Sequence, residues 1–186
     1  MSDSFLYTSP ADPRARPLLD ELLIEYQSRY GTFFDAEGPK AELNRYAPEA
    51  FQPPHGNFLL LIRDGVAIAG GAFMRHGPDT AELKRIWTDG RLRRQGLARK
   101  VLQELEDQAA RQGYTKAFLT TGFRQPEAVG LYLTSGYTPL FDTSIDPETL
   151  RQTLPFEKYL DLPAAAALAA RGSHASQLQN TRSAHP

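Results

Sequence analysis

The chain has 186 residues, of which 41% are hydrophobic and 23% charged, a composition typical of one globular domain rather than of a disordered segment. Its formal net charge of −1 gives no general reason to bind nucleic acid or a membrane surface. The sequence contains no cysteine, which excludes disulfides, thiolate catalysis and cysteine-ligated metal. It shows no signal-peptide core and no apolar run near the ~20 residues that cross a bilayer, so we expect a cytoplasmic protein with no membrane partner.

The first third of the sequence predicts an edge strand followed by helices. The short apolar run at 5–7 is the candidate edge strand. Leucines and tyrosines then recur at helical spacing from Pro17, which suits a first turn, and Gly31 ends this helix. Prolines and glycines bound the segment 32–57, with room for a short helix near 39–46.

Three strand patterns follow. An apolar run at 58–62, the hairpin signal Arg63-Asp64-Gly65 and a second β pattern at 66–74 predict an antiparallel pair. After a turn, residues 81–88 alternate in polarity. The alternation predicts one face with Leu83, Arg85 and Trp87, and an opposite face with Glu82, Lys84, Ile86 and Thr88.

The rest of the chain continues the alternation of helix and strand. Apolar residues at helical spacing predict an amphipathic helix from Leu97 to Gly113, followed by a buried strand at 116–121. A short helix from 125 to 136 and a last strand near 156–160 complete the pattern. This order favours an α/β fold with a mixed sheet.

We predict a single domain over residues 1–162 and, from the alanine-rich composition with little large apolar surface, a mobile C-terminal tail over 163–186. The four histidines show no ligand spacing, and no HExxH motif is present, so no metal site is expected. A GxSxG nucleophile motif is also missing, which argues against covalent hydrolase chemistry.

A cationic cluster lies at the start of the long helix, where residues 91–102 are RLRRQGLARKVL. Cations at a helix N-terminus oppose the macrodipole by ~0.3–1 kcal/mol, and glycine costs about 1 kcal/mol relative to alanine inside a helix. A bound anion offsets both costs, because first-turn N–H groups point outward and Gly96 lets phosphate oxygens approach the backbone. A solvated helix start is the alternative. We therefore predict a loop that binds phosphate or pyrophosphate.

The motif in this cluster is Arg93-x-x-Gly96-x-Ala98, whereas the Walker GxxxxGK[ST] and Rossmann GxGxxG patterns are absent. It resembles the [Q/R]-x-x-G-x-[G/A] signature of the GNAT family of N-acetyltransferases. The preceding strand AELKRIWT and the later segment PEAVGLYLTSGYTPL are also similar to that family. The resemblance covers 58–141 well and 17–57 loosely. It implies a GNAT-type α/β fold, with a mixed, mostly antiparallel central sheet flanked by helices.

The resemblance implies an acetyl-coenzyme A-dependent N-acetyltransferase, which transfers the acetyl group directly to a primary amine in a ternary complex. Backbone amides of the loop would line the pyrophosphate, and main-chain groups at the end of the preceding strand would pair with the pantetheine arm. For the Trp87 side chain, core packing is the alternative, and Gln125 stands where many relatives carry asparagine. The implied cofactor-binding residues are Ile86, Trp87, Thr88, Arg93, Arg94, Gln95, Gly96, Leu97, Ala98, Arg99 and Gln125.

Two residues are candidates for proton transfer. The resemblance implies that Tyr132 is the general acid that protonates the departing coenzyme thiolate, with burial of an ordinary aromatic as the alternative. Glu82, on the strand before the loop, is the candidate general base for the amine, directly or through a water. A surface ion pair with Lys84 is the alternative for Glu82. Further acids that could attract a cationic amine are Glu25, Asp35, Glu37 and Asp142.

Two other functions remain as alternatives. A catalytically silent acyl-coenzyme A-binding or sensing domain would keep the loop without needing Glu82 or Tyr132. A nucleic-acid binder could use the basic cluster, but no RNA-binding signature accompanies it, so no nucleic-acid partner is expected. The acceptor, a small molecule, an amino-acid-like compound or a protein amine, would be recognised by 17–57 and 141–155. A homodimer is one assembly that the resemblance implies.

Overall fold

The structure, a computed structural model, describes residues 2–161. The predicted tail at 163–186 lies outside the described residues, and the single-domain boundary stays a prediction. The strands are β1 (Ser4–Thr8), β2 (Asn57–Arg63), β3 (Val66–Arg75), β4 (Thr80–Thr88), β5 (Lys116–Gly122), β6 (Thr138–Pro139) and β7 (Thr153–Tyr159). The α-helices are α1 (Arg16–Tyr30), α2 (Pro39–Asn44), α3 (Leu97–Arg111), α4 (Pro126–Thr134) and α5 (Pro147–Leu150). Short 3₁₀ helices occupy Pro13–Ala15, Pro48–Phe51 and Gly90–Leu92.

The strands form one sheet in the order β1-β2-β3-β4-β5-β7-β6. Every neighbouring pair is antiparallel except β4 and β5, which run parallel. This mixed, mostly antiparallel sheet, with helices packed on it, confirms the predicted GNAT-type α/β fold. The apolar run at 5–7 is indeed part of the edge strand β1.

Strands β4 and β5 pair over a short length only. Their register joins Thr80 to Lys116, Ala81 to Ala117 and Glu82 to Phe118. Past Glu82, β4 continues along β3 to Thr88, and β5 continues along β7 to Gly122, but the two do not pair with each other. The middle of the sheet therefore splays, and the main-chain groups of β4 that point toward β5 are left without a strand partner.

A β-bulge lies in the unpaired half of β4. The register with β3 shifts between Ala72–Lys84 and Gly70–Trp87, and Arg85 adopts a left-handed φ of 60°. An extra residue in one strand interrupts the alternation of side chains. The prediction that Leu83, Arg85 and Trp87 share a face is consequently wrong.

The contacts of β4 show the true faces. Leu83 and Ile86 pack in the apolar cluster beneath α3, whereas Trp87 packs in a second cluster beneath α1. The Arg85 guanidinium lies over the Phe51 ring of that second cluster, at 4.5 Å from its centroid. Ile86 therefore lies on the opposite face from Glu82 and Lys84, contrary to the prediction, because the bulge turns the strand by one residue.

Each face of the sheet buries the apolar side of a long helix. The α3 stripe consists of the apolar residues predicted for it, Leu97, Val101, Leu102, Leu105 and Ala109, each at most 3% exposed. Burial of a large apolar side chain contributes roughly 1.5–3 kcal/mol, so this stripe fixes α3 and the loop before it against the sheet. On the other face, α1 buries Leu18 and Leu22.

The glycine pair of β3 lets both helices approach the bulge closely. A Cβ on Gly70 would come within 2.8 Å of the Leu18 side chain of α1. A Cβ on Gly71 would come within 2.9 Å of Leu105 of α3 and 2.8 Å of Ile86. The two layers of helix are thus held close to the splayed part of the sheet.

Candidate functional site

The loop between β4 and α3 is fixed at its start by Asp89. This residue is 4% exposed; its carboxylate accepts from the Arg91 backbone N–H at 2.9 Å and pairs with the Arg91 guanidinium at 2.7 Å. The hydrogen bonds from Arg91 hold the pKa of Asp89 below its usual value. The Asp89 N–H donates to the Ile68 carbonyl at 2.9 Å, which ties the loop to the sheet.

The second half of the loop presents a row of free backbone donors. None of the N–H groups from Arg93 to Arg99 donates to an acceptor within residues 2–161, and the first helical bond runs from Lys100 to the Gly96 carbonyl at 3.1 Å. Gly96 has a φ of 75°, where glycine is favoured, and a Cβ built on it would meet no atom within 4 Å. The backbone thus offers an open, donor-rich surface that fits an anion such as a diphosphate.

Two exposed arginines of this stretch contact neighbouring helices, Arg93 with α1 and Arg99 with α4. The Arg93 guanidinium is 3.8 Å from the Glu25 carboxylate of α1, which also pairs with Arg29 at 2.9 Å. Arg99 donates to the Thr134 hydroxyl at the end of α4, at 2.9 Å. These contacts leave positive charge around the backbone donors. Of the other predicted loop residues, Arg94 and Gln95 are exposed, Ala98 is half-buried and Leu97 packs in the core.

The end of β4 brings Trp87 and Thr88 to the splayed gap. The Trp87 side chain is 3% exposed, and its Nε1 donates to Glu21 of α1 at 2.9 Å. Core packing, the alternative raised for Trp87, is therefore what its side chain does, and the residue pairs with Gly70 of β3 in the sheet. Thr88 Oγ1 is buried without a hydrogen-bond partner among the described residues. An unpaired buried hydroxyl costs about 1–3 kcal/mol, which a ligand beside β4 could recover.

Tyr132 lies on α4 against the apolar cluster beneath α3. Its ring packs against Tyr137 and Phe156, with centroids 5.7 and 5.5 Å away, and the residue is 6% exposed. The hydroxyl forms no hydrogen bond within residues 2–161. Its oxygen is not wholly buried, so it is accessible to solvent or to a ligand. Burial raises the pKa of Tyr132 above its usual value of 10.0, so the phenol keeps its proton at neutral pH.

Gln125 caps the turn from β5 into α4. Its side-chain oxygen accepts from the Thr121 hydroxyl at 3.0 Å and from the Gly122 N–H at 3.1 Å. The oxygen is therefore already occupied by the protein itself. Any contact of Gln125 with the cofactor would have to come from its NH₂ group.

A cavity of about 370 Å³ lies on the α1 and α2 side of the sheet. Glu82 and Lys84 line it from β4, and Thr120 and Thr121 line it from β5, so the cavity adjoins the gap between the splayed strands. Further side chains come from α1, α2, the segment between them and the two residues that follow α2: Tyr26, Tyr30, Phe34, Asp35, Glu42, Arg45 and Tyr46. We call it the acceptor cavity.

Glu82 faces this cavity and is paired. Its Oε1 lies 2.9 Å from Lys84 Nζ, its Oε2 lies 3.5 Å from His76 Nδ1, and its side chain is 13% exposed. The ion pair with Lys84, raised as the alternative for Glu82, is present, but it lies at the cavity wall rather than on an open surface. Tyr132 packs in the cluster beneath α3, whereas Glu82 lines the cavity on the α1 and α2 side of the sheet.

The other acids take varied positions. Asp35 lines the acceptor cavity and pairs with Arg45 at 3.2 Å, whereas Asp142 accepts from Ser144 and Glu37 is exposed. The tyrosines and Arg45 of the cavity were not assigned individually from the sequence. Helical spacing in the sequence predicts helices α1 and α2. It does not predict which face of each helix borders the gap.

Within residues 2–161, no group of three histidine, aspartate or glutamate side chains is arranged to hold a metal ion. The helices in that part of the chain all fall short of the length and hydropathy needed to cross a membrane.

Comparison with known proteins places the chain in a family. The model of the acetyltransferase (GNAT) family matches residues 18–137, more than half of the chain. In fold, the chain is similar to a GNAT-family acetyltransferase from Staphylococcus aureus (TM-score 0.67, 14% identity, covering 86% of this chain and 100% of that one). No curated protein matches the chain in sequence.

Two other similar structures were solved with coenzyme. One is the PaiA N-acetyltransferase from Thermoplasma acidophilum in complex with coenzyme A (TM-score 0.61, 17% identity, covering 86% of this chain and 99% of that one). The other is a GNAT-family acetyltransferase from Elizabethkingia anophelis with acetyl-coenzyme A bound (TM-score 0.59, 15% identity, covering 85% and 98%). Sequence match, splayed sheet and open loop agree, and the chain belongs to the GNAT acetyltransferase family.

Proposed function

We propose that the protein is an acetyl-coenzyme A-dependent N-acetyltransferase that moves the acetyl group directly to a primary amine in a ternary complex. One observation carries the proposal. The run of free backbone donors from Arg93 to Arg99 lies at the end of the β4–β5 gap, and the acceptor cavity adjoins that same gap. A thioester held by its pyrophosphate at the loop could reach the cavity through the gap.

The coenzyme binds mainly to backbone. Amides from Arg94 to Arg99 hold the pyrophosphate, with arginine charge around them, and Gly96 allows its close approach. The pantetheine arm extends along β4, where main-chain groups from Ile86 to Thr88 lack a strand partner on the β5 side. Family membership and the coenzyme-bound neighbours support this assignment.

The chain's own side chains handle the protons. Glu82 takes a proton from the acceptor ammonium, directly or through a water, and the free amine attacks the thioester carbonyl. Tyr132, kept protonated by burial, supplies a proton or hydrogen bond to the departing sulfur. The two residues work on opposite faces of the sheet because acceptor and coenzyme meet in the gap.

The proposal specifies the acceptor only as a primary amine. That amine belongs to a small molecule, an amino-acid-like compound or a protein. The alternative function is a catalytically silent acyl-coenzyme A-binding domain, which would bind the coenzyme at the loop but transfer no acetyl group. The cytoplasmic location, the homodimer and the absence of nucleic-acid partners stay predictions.

Two measurements test the proposal. Acetyl-coenzyme A at saturation should raise the melting temperature through binding to the folded state, and a panel of amines should include acceptors that release free coenzyme thiol. An unchanged melting curve contradicts the loop assignment. A raised melting temperature with no thiol release across small amines, amino acids and peptides supports the silent binding domain.

A further inference from the structure

We propose that Lys84 is a self-acetylation site, at which the protein modifies its own side chain from acetyl-coenzyme A; this inference rests on the proposed function. Lys84 lies on β4, two positions past Glu82, the last residue of β4 paired with β5. It is the only lysine among the side chains that line the acceptor cavity.

The position of Lys84 gives it access to the gap. Besides the acceptor cavity, Lys84 lines a smaller cavity of about 90 Å³, and Thr120 of β5 lines both cavities with it. Lys84 and Thr120 therefore border the same opening from opposite strands. This is the opening through which the thioester must meet its acceptor in the proposed mechanism.

The surroundings of Lys84 suit an amine about to be acetylated. Its Nζ lies 2.9 Å from Glu82 Oε1, the proposed base, and 4.9 Å from the centroid of the Tyr46 ring. The side chain is 16% exposed, so it is held in place at the cavity wall rather than extended into solvent. The protein thus carries an ammonium beside the carboxylate that serves the acceptor.

The other described lysines lack this combination. Lys158 pairs with the buried Glu106 at 2.7 Å, and Lys116 pairs with Glu157 at 3.5 Å. Lys100, on α3, lies 3.6 Å from the Asp3 carboxylate, and Lys40 is exposed on α2. None of these four pairs with Glu82 or lines the acceptor cavity. Lys40 is therefore the matched control for chemical acetylation in solution.

The step balances without a further reactant. Glu82 takes one proton from the Lys84 ammonium, and the nitrogen lone pair attacks the thioester carbonyl carbon. The new C–N bond forms, the C–S bond breaks, and the sulfur leaves as thiolate that takes a proton from Tyr132 or solvent. Of the two protons then left on the nitrogen, one is lost as the amide forms and the other stays on the amide nitrogen, so the products are acetyl-lysine, coenzyme A with a free thiol and one released proton.

The test is peptide mass spectrometry on the full chain, incubated with acetyl-coenzyme A and no added amine. We expect Lys84 to gain an acetyl group at least roughly tenfold faster than Lys40, because a positioned amine reacts as an intramolecular partner. The rate at Lys84 should be independent of protein concentration. Glu82→Gln should slow Lys84 but leave Lys40 unchanged, and Gly96→Glu should bring Lys84 down to the rate of Lys40.

Several outcomes would overturn the inference: equal rates at Lys84 and Lys40, a Lys84 rate that rises with protein concentration, or a Lys84 rate unaffected by Gly96→Glu. Melting curves separate this failure from failure of the proposed function. If acetyl-coenzyme A raises the melting temperature while Lys84 stays unmodified, the proposed function stands and Lys84 serves only as the ion-pair partner of Glu82. If the melting curve is unchanged and Lys84 is unmodified, both fall.

Discussion

The coenzyme loop and the acceptor cavity are built in opposite ways. The loop is one contiguous segment, from Asp89 to Arg99, whose free donors are backbone N–H groups. The cavity draws its side chains from α1, α2, β4, β5 and β7, residues far apart in sequence. Under the proposed function, the loop holds a ligand common to a whole family, whereas the cavity presents side chains that can differ with each acceptor.

The difference also determines which substitutions matter. In the proposed coenzyme contact the loop binds the anion through its backbone, so most of its side chains are replaceable. Gly96 is the exception, since a side chain there would project toward the anion. In the cavity the side chains themselves carry charge and hydrogen bonds. Substitutions in the two regions should therefore separate coenzyme affinity from turnover.

The largest expected effect comes from Gly96→Glu, which places a carboxylate beside the pyrophosphate. We expect the affinity for acetyl-coenzyme A to fall at least roughly 100-fold, or about 2.8 kcal/mol, measured by isothermal titration calorimetry. Gly113→Glu is the matched control, because Gly113 also has a positive φ, 97°, and open space around it, but follows the other end of α3. Both variants incur the backbone cost of a left-handed residue, about 1–2 kcal/mol. Equal coenzyme affinity in the two variants would remove the loop from the coenzyme site.

A smaller loss is expected from Glu82→Gln, which keeps the shape of the side chain and removes the base. With an acceptor from the amine panel, kcat should fall roughly 100-fold, the lower range for general base catalysis. Glu42→Gln is the control, since Glu42 lines the same cavity and pairs with Arg45 at 2.9 Å. That variant should change the KM for the acceptor more than kcat. If the two variants behave alike, Glu82 contributes only charge to the cavity.

Tyr132→Phe should have a milder effect on chemistry. The coenzyme leaves as a thiolate. Thiols such as cysteine, with a pKa of about 8.5, are acidic enough for the thiolate to be a tolerable leaving group without an acid, so we expect kcat to fall only about tenfold. Coenzyme affinity should stay close to that of the wild type. Tyr137→Phe is the control. The Tyr137 hydroxyl donates to the buried Glu106 at 2.9 Å, so removing it should lower the free energy of unfolding by about 1–3 kcal/mol while kcat stays near that of the wild type. Unchanged kcat in Tyr132→Phe would exclude Tyr132 from the reaction.

The smallest effect concerns alkaline pH. Burial, with the nearby Glu106 charge, raises the pKa of Tyr137 above its usual value of 10.0. Above pH 10 the unfolded chain loses this proton and the folded chain keeps it, so the free energy of unfolding should decrease by up to about 1.4 kcal/mol per pH unit from this group. Below pH 10 the contribution is constant. Urea unfolding at pH 9 and pH 11 should show a shallower decrease in Tyr137→Phe than in the wild type; equal decreases would contradict the assignment.

The predicted elements were largely correct because their signals are local. Apolar spacing located α1 and α3, proline and glycine bounded α2, and the hairpin signal at 63–65 separates β2 from β3. The family signature at Arg93 to Ala98 likewise lies in one stretch, and the structure places its backbone donors in the open.

The failures arose where a side chain's direction depends on distant strands. Simple alternation put Arg85 on the face of Leu83, but the bulge opposite Gly71 turns Arg85 toward α1. Nothing in AELKRIWT marks the extra residue, since it follows from how β4 pairs with β3. The same bulge decides that Ile86 faces α3, whereas Glu82 and Lys84, which precede it, both face the acceptor cavity as simple alternation predicts.

By itself the sequence determined the order of the elements, the apolar stripe of α3 and the anion loop, because each depends on neighbours within a few residues along the chain. Only the tertiary structure decided where β4 and β5 part, which side chains line the cavity, and that Lys84 lies 2.9 Å from Glu82 within it. The physical reason is that a cavity between splayed strands is made by contacts across the sheet, and these are set by register and helix packing rather than by local spacing.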